Sequence, residues 1–284
     1  MPSLLDIRRR IRSVKNTQQL TKAMKTVSAA KLRRAQERVF SARPYSDQLR
    51  KVLANLTARI ENVSHPLLEI RPEERILLVV ITADRGLCGA FNANIVRTAV
   101  SFIRDHPGQT VSLSLVGRKG RDFFRRRGVV TASEFINIFS RLDYGNAKDI
   151  SEKIVQAYSE REVDAVYAVY NEFKSVIQQR IVVEKVLPLS HSEFESAGQA
   201  PDYIYEQPPQ EIFNRLLPRY VEIQSYRALL ESAASEHGAR MAAMDTASRN
   251  AGDMIDLLTL NMNRVRQAAI TREIIEVVSG AGAL

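Results

Sequence analysis

The stretch Ala233-Ala-Ser-Glu-His-Gly-Ala-Arg-Met-Ala-Ala-Met-Asp-Thr-Ala-Ser-Arg-Asn-Ala-Gly252 decides the fold. It lies in a run from 219 to 279 with no proline and with Gly238 and Gly252 as its glycines, so helix is the expected backbone. At 1.5 Å per residue that run reaches roughly 90 Å, longer than a globular domain requires. A helix of this length needs a partner to hold it.

The apolar spacing supplies one. Met244, Ala251, Leu258 and Val265 recur every seven residues, and Ala247, Met254, Ala268 and Ile275 suggest a second register, interrupted by Asn261. This is the seam of a coiled coil. Ala233, Ala234, Ala239, Ala242 and Ala243 keep the seam small and admit a close neighbour. Glu236 with Arg240, and Asp245 with Arg249, are spaced to pair across one turn of an expected solvated face.

Outward from this helix, the other end of the chain offers the partner. Ser3 and Asp6 form an expected N-cap, after which Leu4, Ile7, Ile11 and Val14 repeat at helical spacing. After Thr17 and Gln18 the stripe resumes at Leu20, Met24, Val27, Leu32, Ala35 and Val39. Pro44 is expected to kink or break the helix, with a further stretch over 45–60. Ala23, Ser28, Ala29, Ala30 and Ala35 are again small, so the two terminal helices are expected to pair antiparallel. The first helix is also one-sidedly basic, from Arg8, Arg9, Arg10 and Arg12 to Lys31, Arg33, Arg34 and Arg38. That is either a solvated face or a surface for an acidic neighbour.

Between the helices the period changes. Residues 76–81 are a β-branched apolar run, followed by the loop Thr82-Ala-Asp-Arg-Gly-Leu-Cys-Gly89 and a helix over 91–104. Residues 111–116 with a helix near 122–126 repeat the unit, a short strand is expected at 136–139, and a helix at 146–159. Strands follow at 165–170 and, as an edge, at 175–187. Alternating strands and helices imply a small, largely parallel sheet covered by helices. The fold class is therefore α/β plus coiled coil: a long antiparallel coiled coil of N- and C-terminal helices with an inserted Rossmann-like α/β domain. The expected boundaries are 1–66, 67–208 and 209–284.

Composition narrows the function. The chain of 284 residues has 41 Lys and Arg against 32 Asp and Glu, a formal charge of +9 that favours acidic partners. One cysteine, Cys88, excludes an internal disulfide, and no run approaches the roughly 20 apolar residues of a membrane span. The N-terminus lacks the apolar core of a secretory signal.

Catalytic signals are weak. The loop at Asp84-Arg-Gly-Leu-Cys-Gly89 follows a strand, where α/β folds take phosphates, but it has neither dinucleotide-fingerprint nor P-loop spacing, and Gly117-Arg-Lys-Gly120 does no better. Tight turns explain both. Cys88 lacks a neighbouring base in sequence and reads as a small buried thiol. His65, His106, His191 and His237 have no metal-ligand spacing. No catalytic, cofactor or metal site is expected.

Four stretches carry a resemblance. Glu236-His-Gly-Ala-Arg-Met-Ala-Ala-Met-Asp-Thr-Ala-Ser-Arg-Asn-Ala251, Lys15-Asn-Thr-Gln-Gln-Leu-Thr-Lys-Ala-Met24, Thr82-Ala-Asp-Arg-Gly-Leu-Cys-Gly89 and Arg266-Gln-Ala-Ala-Ile-Thr-Arg-Glu-Ile together resemble the gamma subunits of rotary F-type ATP synthases. They span nearly the whole chain in the family's order.

The resemblance implies a non-catalytic central rotor shaft. In that family the coiled coil threads a ring of alternating alpha and beta subunits, and the globular end joins the membrane c-ring with the epsilon subunit. Arg266, Gln267, Thr271, Arg240 and Met24 match family positions facing the beta subunit, and the resemblance sets Met24 against an acidic beta loop, which would be the acidic neighbour of the basic helix. Tyr205 and Glu206 match the base on the c-ring, and residues 274–284 match the apolar tip held in a sleeve of the ring. The resemblance also implies a peripheral place on the cytoplasmic face of a bacterial inner membrane. Chloroplast members carry a regulatory cysteine pair that this chain lacks.

Apart from the resemblance, three classes stay open. A coiled-coil scaffold predicts partner binding without rotation. A nucleic-acid-binding arm predicts steep salt dependence and aromatic stacking, for which the first helix offers Phe40 and the chain no Trp. A small-molecule enzyme predicts nucleotide binding by the isolated chain.

Overall fold

The computed structural model describes residues 3–57, 65–175, 179–190 and 207–281. They form two compact units, Met1–Ser28 with Arg240–Leu284, and Ala29–Ala239. Two long helices contribute to both: α1, Leu4–Thr57, of 54 residues, and α5, Pro209–Ala281, of 73.

Helix α1 starts as its sequence dictates. The Asp6 amide donates to Ser3 Oγ at 3.2 Å while the Ser3 amide donates to Asp6 Oδ2 at 3.2 Å, a reciprocal cap for two orphan donors. Pro44 does not break the helix. Phe40, four residues back, loses its backbone partner, but both residues are exposed and water can serve that carbonyl.

In the coiled unit the helices pair antiparallel. Gln18 Nε2 donates to the Ser248 carbonyl at 3.3 Å, and Lys25 Nζ to Asp245 Oδ1 at 2.6 Å. The register of Met244, Ala251, Leu258 and Val265 faces inward as expected, but the second register is different. Met241, Ser248, Ile255 and Met262 turn inward, while Met254, Asn261, Ala268 and Ile275 are exposed. Spacings of three and four both satisfy a heptad, and the chain takes the four-residue step from Met244 to Ser248. On α1 the inward positions are Ile7, Ile11, Val14, Gln18, Thr21, Met24 and Ser28, whereas Leu20 and Val27 face outward. Asp245 pairs with Arg249 at 3.3 Å as its spacing predicts. Glu236, expected on a solvated face, is buried.

The second unit is built on a five-stranded sheet of order β3-β2-β1-β4-β5. Its elements are β1 (Arg75–Ile81), α2 (Phe91–Asp105), β2 (Thr110–Val116), α3 (Arg118–Arg125), β3 (Thr131–Phe135), α4 (Tyr144–Ser159), β4 (Ala165–Phe173) and β5 (Gln179–Leu187). The first four strands are parallel and β5 runs antiparallel at the edge. Central β1 is buried beyond its first residue, which is why it reads as an unbroken apolar run. On one face Leu78, Val80, Leu115 and Val169 pack with Phe91 and Ile95 of α2 and Phe124 of α3.

The third strand lies at Thr131–Phe135, earlier than its expected place at 136–139. Asn137 takes a left-handed φ of 64° and ends it, and Ile138–Ser140 form a 3-10 turn. Helix α3 begins directly after Gly117, ahead of its expected start. The expected start of β5 at 175 precedes residues 176–178, which lie outside the described residues.

Candidate partner-binding surfaces

The coil is partly inside out. Its inward positions include Gln18, Thr21, Ser28 and Ser248, while Leu20, Val27, Met254, Leu257 and Leu260 stand exposed. A self-sufficient pair would place those apolar side chains in the seam, where each is worth about 1.5–3 kcal/mol on full burial. Left outside in a row along two helices, they form a surface suited to covering by another protein. Leu20, Val27, Met254 and Leu257 each stand next to an inward position, and the sequence pattern put Leu20, Val27 and Met254 in the stripe itself.

The register also leaves a length of α5 without α1 beside it. The Gln18–Ser248 and Lys25–Asp245 contacts place the first turn of α1 opposite residues 262–266 of α5. The remaining helix to Ala281 continues for roughly 20 Å. On it Ile270, Ile274, Ile275, Val277 and Val278 are all exposed.

Arg266, Gln267 and Thr271 come together at the start of this segment, all exposed. Thr271 Oγ1 donates back to the Gln267 carbonyl at 3.0 Å, a bond that uses the backbone and leaves the Gln267 amide side chain to other partners. Arg266 makes no ion pair among the described residues. Met24 and Arg240 are half-buried and lie farther along the coil, toward the Lys25–Asp245 bridge. Tyr205, Glu206 and the end of the apolar tip beyond 281 lie outside the described residues. The basic side chains Arg8, Arg9, Arg10, Arg12, Lys15 and Lys22 are exposed, so the charge does face outward.

In the α/β unit, the loop after β1 is held by the side chains of its own first residues. The Asp84 carboxylate accepts the amide of Arg118 at the start of α3 at 3.1 Å and, beyond β3, those of Asn137 at 2.8 Å and Phe139 at 3.3 Å, so the loop's own carboxylate ties it to the two neighbouring segments. Beneath it, buried Thr82 Oγ1 accepts the Gly120 amide at 2.8 Å and donates to the Val116 carbonyl at 3.0 Å. Gly117 has φ +90°, and a Cβ there would stand 2.0 Å from the Thr82 carbonyl oxygen. The two glycines thus serve close approach of α3 to β1. Cys88 is 1% exposed, and its sulfur accepts Asn92 Nδ2 at 3.1 Å, as fits a packed thiol.

A self-paired coil with an apolar outer face, together with an α/β unit whose strand-end loop is internally filled, defines a subunit of a helical stalk. The sequence model of the family described as ATP synthase matches residues 3–284. The chain is 57% identical over 287 aligned positions to the ATP synthase gamma chain of Solibacter usitatus, covering 100% of this chain and 99% of that one. It is 51% identical to the gamma chain of Pelotomaculum thermopropionicum, covering 100% of both. Among solved structures it resembles a central stalk and c-ring chain of the Tetrahymena thermophila mitochondrial ATP synthase, with TM-score 0.62 and 27% identity over 81% of this chain and 99% of that one. A rotor chain of the Euglena gracilis enzyme shares the fold with TM-score 0.68 at 20% identity, covering 94% and 98%. The chain belongs to the ATP synthase gamma-chain family. Its function is that of the family, the rotary central stalk of an ATP synthase.

Proposed function

We propose that this stalk subunit couples ion-driven rotation of the membrane c-ring to conformational cycling of the catalytic beta subunits, without an active site of its own. Its partners are the alpha and beta subunits around the coil and the epsilon subunit and c-ring at its base. It lies peripherally, on the cytoplasmic face of a bacterial plasma membrane. No described helix is long and apolar enough to cross a membrane, and the similar chains named above with near-complete coverage include bacterial ones.

The observation that carries the reading is the outward apolar row of the coil. Moving a two-state site from one part in a hundred to ninety-nine takes about 5.5 kcal/mol of differential binding. Met254, Leu257 and Leu260 are half to two-thirds exposed, so each contributes about 1 kcal/mol or somewhat more when covered by one beta conformer and not another, and the whole row with Leu20 and Val27 supplies about that amount. A single asymmetric rod presents them to one site at a time, so turning it drives each site through its states in order. The exposed apolar end of α5 suits a sleeve, because apolar contact is non-directional and turning breaks no fixed hydrogen bond. At the catch, Arg266 and Gln267 hydrogen-bond a beta-subunit loop, with Thr271, Arg240 and Met24 at the same interface, and Tyr205 and Glu206 seat on the c-ring. Asp84 and the glycine contacts fill the strand-end loop, which supports a structural use of the α/β unit.

Changing Arg266 and Gln267 together to alanine tests the assignment. The complex is expected to assemble with strongly reduced coupled synthesis. Unchanged synthesis in a fully assembled complex would overturn the assigned contact.

A further inference from the structure

Within the α/β unit, residues 39–46 of α1, residues 219–230 of α5 and Tyr144 of α4 enclose a groove of about 360 Å³. Buried Val39, Ile223 and Leu230 line its apolar floor. Tyr144 and Tyr226 form one wall, edge to face with centroids 5.6 Å apart. Three guanidinium groups, Arg43, Arg219 and Arg227, line the rim, and no carboxylate does.

Two of those cations are already committed. Arg219 bonds Glu222 at 3.1 Å, and Glu222 also accepts the Tyr144 hydroxyl. Arg227 bonds the buried Glu231 at 3.3 Å. Arg43 has no ion pair or hydrogen bond among the described residues, and its guanidinium lies 5.1 Å from the Phe40 ring centroid. An apolar floor beside one guanidinium that stacks on Phe40 and has no carboxylate bonded to it among the described residues selects a molecule with an apolar body and a single anionic head. The volume is within the roughly 300–1,000 Å³ of small-molecule sites.

We propose that this groove binds a small amphiphilic carboxylate, its apolar body on Val39, Ile223 and Leu230 and its head on Arg43. The planar guanidinium can offer two parallel N–H donors to a carboxylate, which fixes the head while the floor accepts the chain. A neutral alcohol of the same length keeps the floor and loses the head contact. A quaternary amine of that length meets the Arg43 charge and finds no carboxylate lining the groove.

Calorimetric titration of the purified full chain with decanoate, decanol and decyltrimethylammonium tests this. Decanoate is expected to bind at one site, and decyltrimethylammonium not at all. Arg43→Gln, at an exposed position, should weaken decanoate about tenfold and leave decanol unchanged, while Arg43→Lys restores most of the affinity. A single-chain lysophosphatidylglycerol presents the same anionic and apolar chemistry, and its titration against the same variants shows whether a free acid or a lipid is the better occupant. Equal binding of the anionic and cationic probes, no binding of either anion, or decanoate binding indifferent to Arg43→Gln would each overturn the proposal.

Discussion

Met244 and Met254 stand ten residues apart on α5, carry the same side chain, and by periodicity alone both belong to the seam. The structure separates them: Met244 is 5% exposed and Met254 is 51% exposed. Truncating a buried Met to alanine costs about 2–5 kcal/mol. A two-helix seam can close on the space left behind, which puts Met244→Ala near the lower end, at about 2 kcal/mol, or roughly 30-fold in a local opening constant. Met254→Ala should stay within about 0.5 kcal/mol, as for other surface positions. Hydrogen exchange of the isolated chain reads this directly, because amides flanking each site report opening of the coil. Protection near residue 244 should fall about 30-fold and near 254 by less than about threefold. In the assembled complex, Met254→Ala should also weaken binding to the alpha and beta subunits, by about 1 kcal/mol for a side chain already half covered. Equal loss of protection at both methionines would refute the inside-out seam and restore the register that the sequence suggests.

Two further predictions concern the α/β unit. Thr82→Val removes the hydroxyl that accepts the Gly120 amide and leaves that buried donor unpaired, while the Val116 carbonyl keeps the Thr82 backbone amide at 2.8 Å. It should cost about 2 kcal/mol in urea unfolding, with Thr82→Ser losing less. A valine variant within 0.5 kcal/mol of the parent, on the order of the surface scatter, would remove Thr82 from that role. Asp164 accepts three bonds from Arg75, two from the guanidinium and one from the backbone amide, and the guanidinium bonds hold its carboxyl below the usual range. Its contribution is therefore complete above the unfolded value near 4 and is lost as pH falls through the folded value. Denaturation at stepped pH should show a constant gap between parent and Asp164→Asn from about pH 5 to 8, narrowing below about pH 4. A gap that widened in acid would contradict the sign.

The long helices were legible because Ser3 with Asp6, the heptad spacing and the scarcity of glycine and proline all point the same way. The central strands were legible because β1 and most of β4 are buried on both faces and read as short apolar runs with valine or isoleucine among them. Strand β3 was not: Thr131-Ala-Ser-Glu-Phe135 is a half-exposed edge with polar residues turned inward, so its apolar signal is faint beside that of Ile136 and Ile138. The second seam register was hidden for a related reason, since Ser248, Gln18 and Thr21 face inward at positions where a pattern search looks for aliphatics. Pro44 does not end the helix because the residue whose backbone partner it removes, Phe40, is exposed, a fact of placement that composition does not contain. At the partner surface, spacing put Leu20, Val27 and Met254 in the seam and so missed the outward row, and the roles of Arg266, Gln267 and Met24 came from resemblance to a family. An exposed guanidinium or amide on a helix carries no local sign of the loop it will meet.

Rotation is the central claim, and a single-molecule experiment tests it. Cys88 is buried and unsuited to carrying a probe, whereas Gly108, in the turn between α2 and β2, has open space around the position a Cβ would take. Gly108→Cys would carry a bead in a complex reconstituted with alpha and beta subunits fixed to a surface. The account predicts unidirectional, ATP-dependent turning of the bead. A complex that hydrolyses ATP while a verified bead on Gly108→Cys stays still would contradict it, and would make the chain a fixed scaffold.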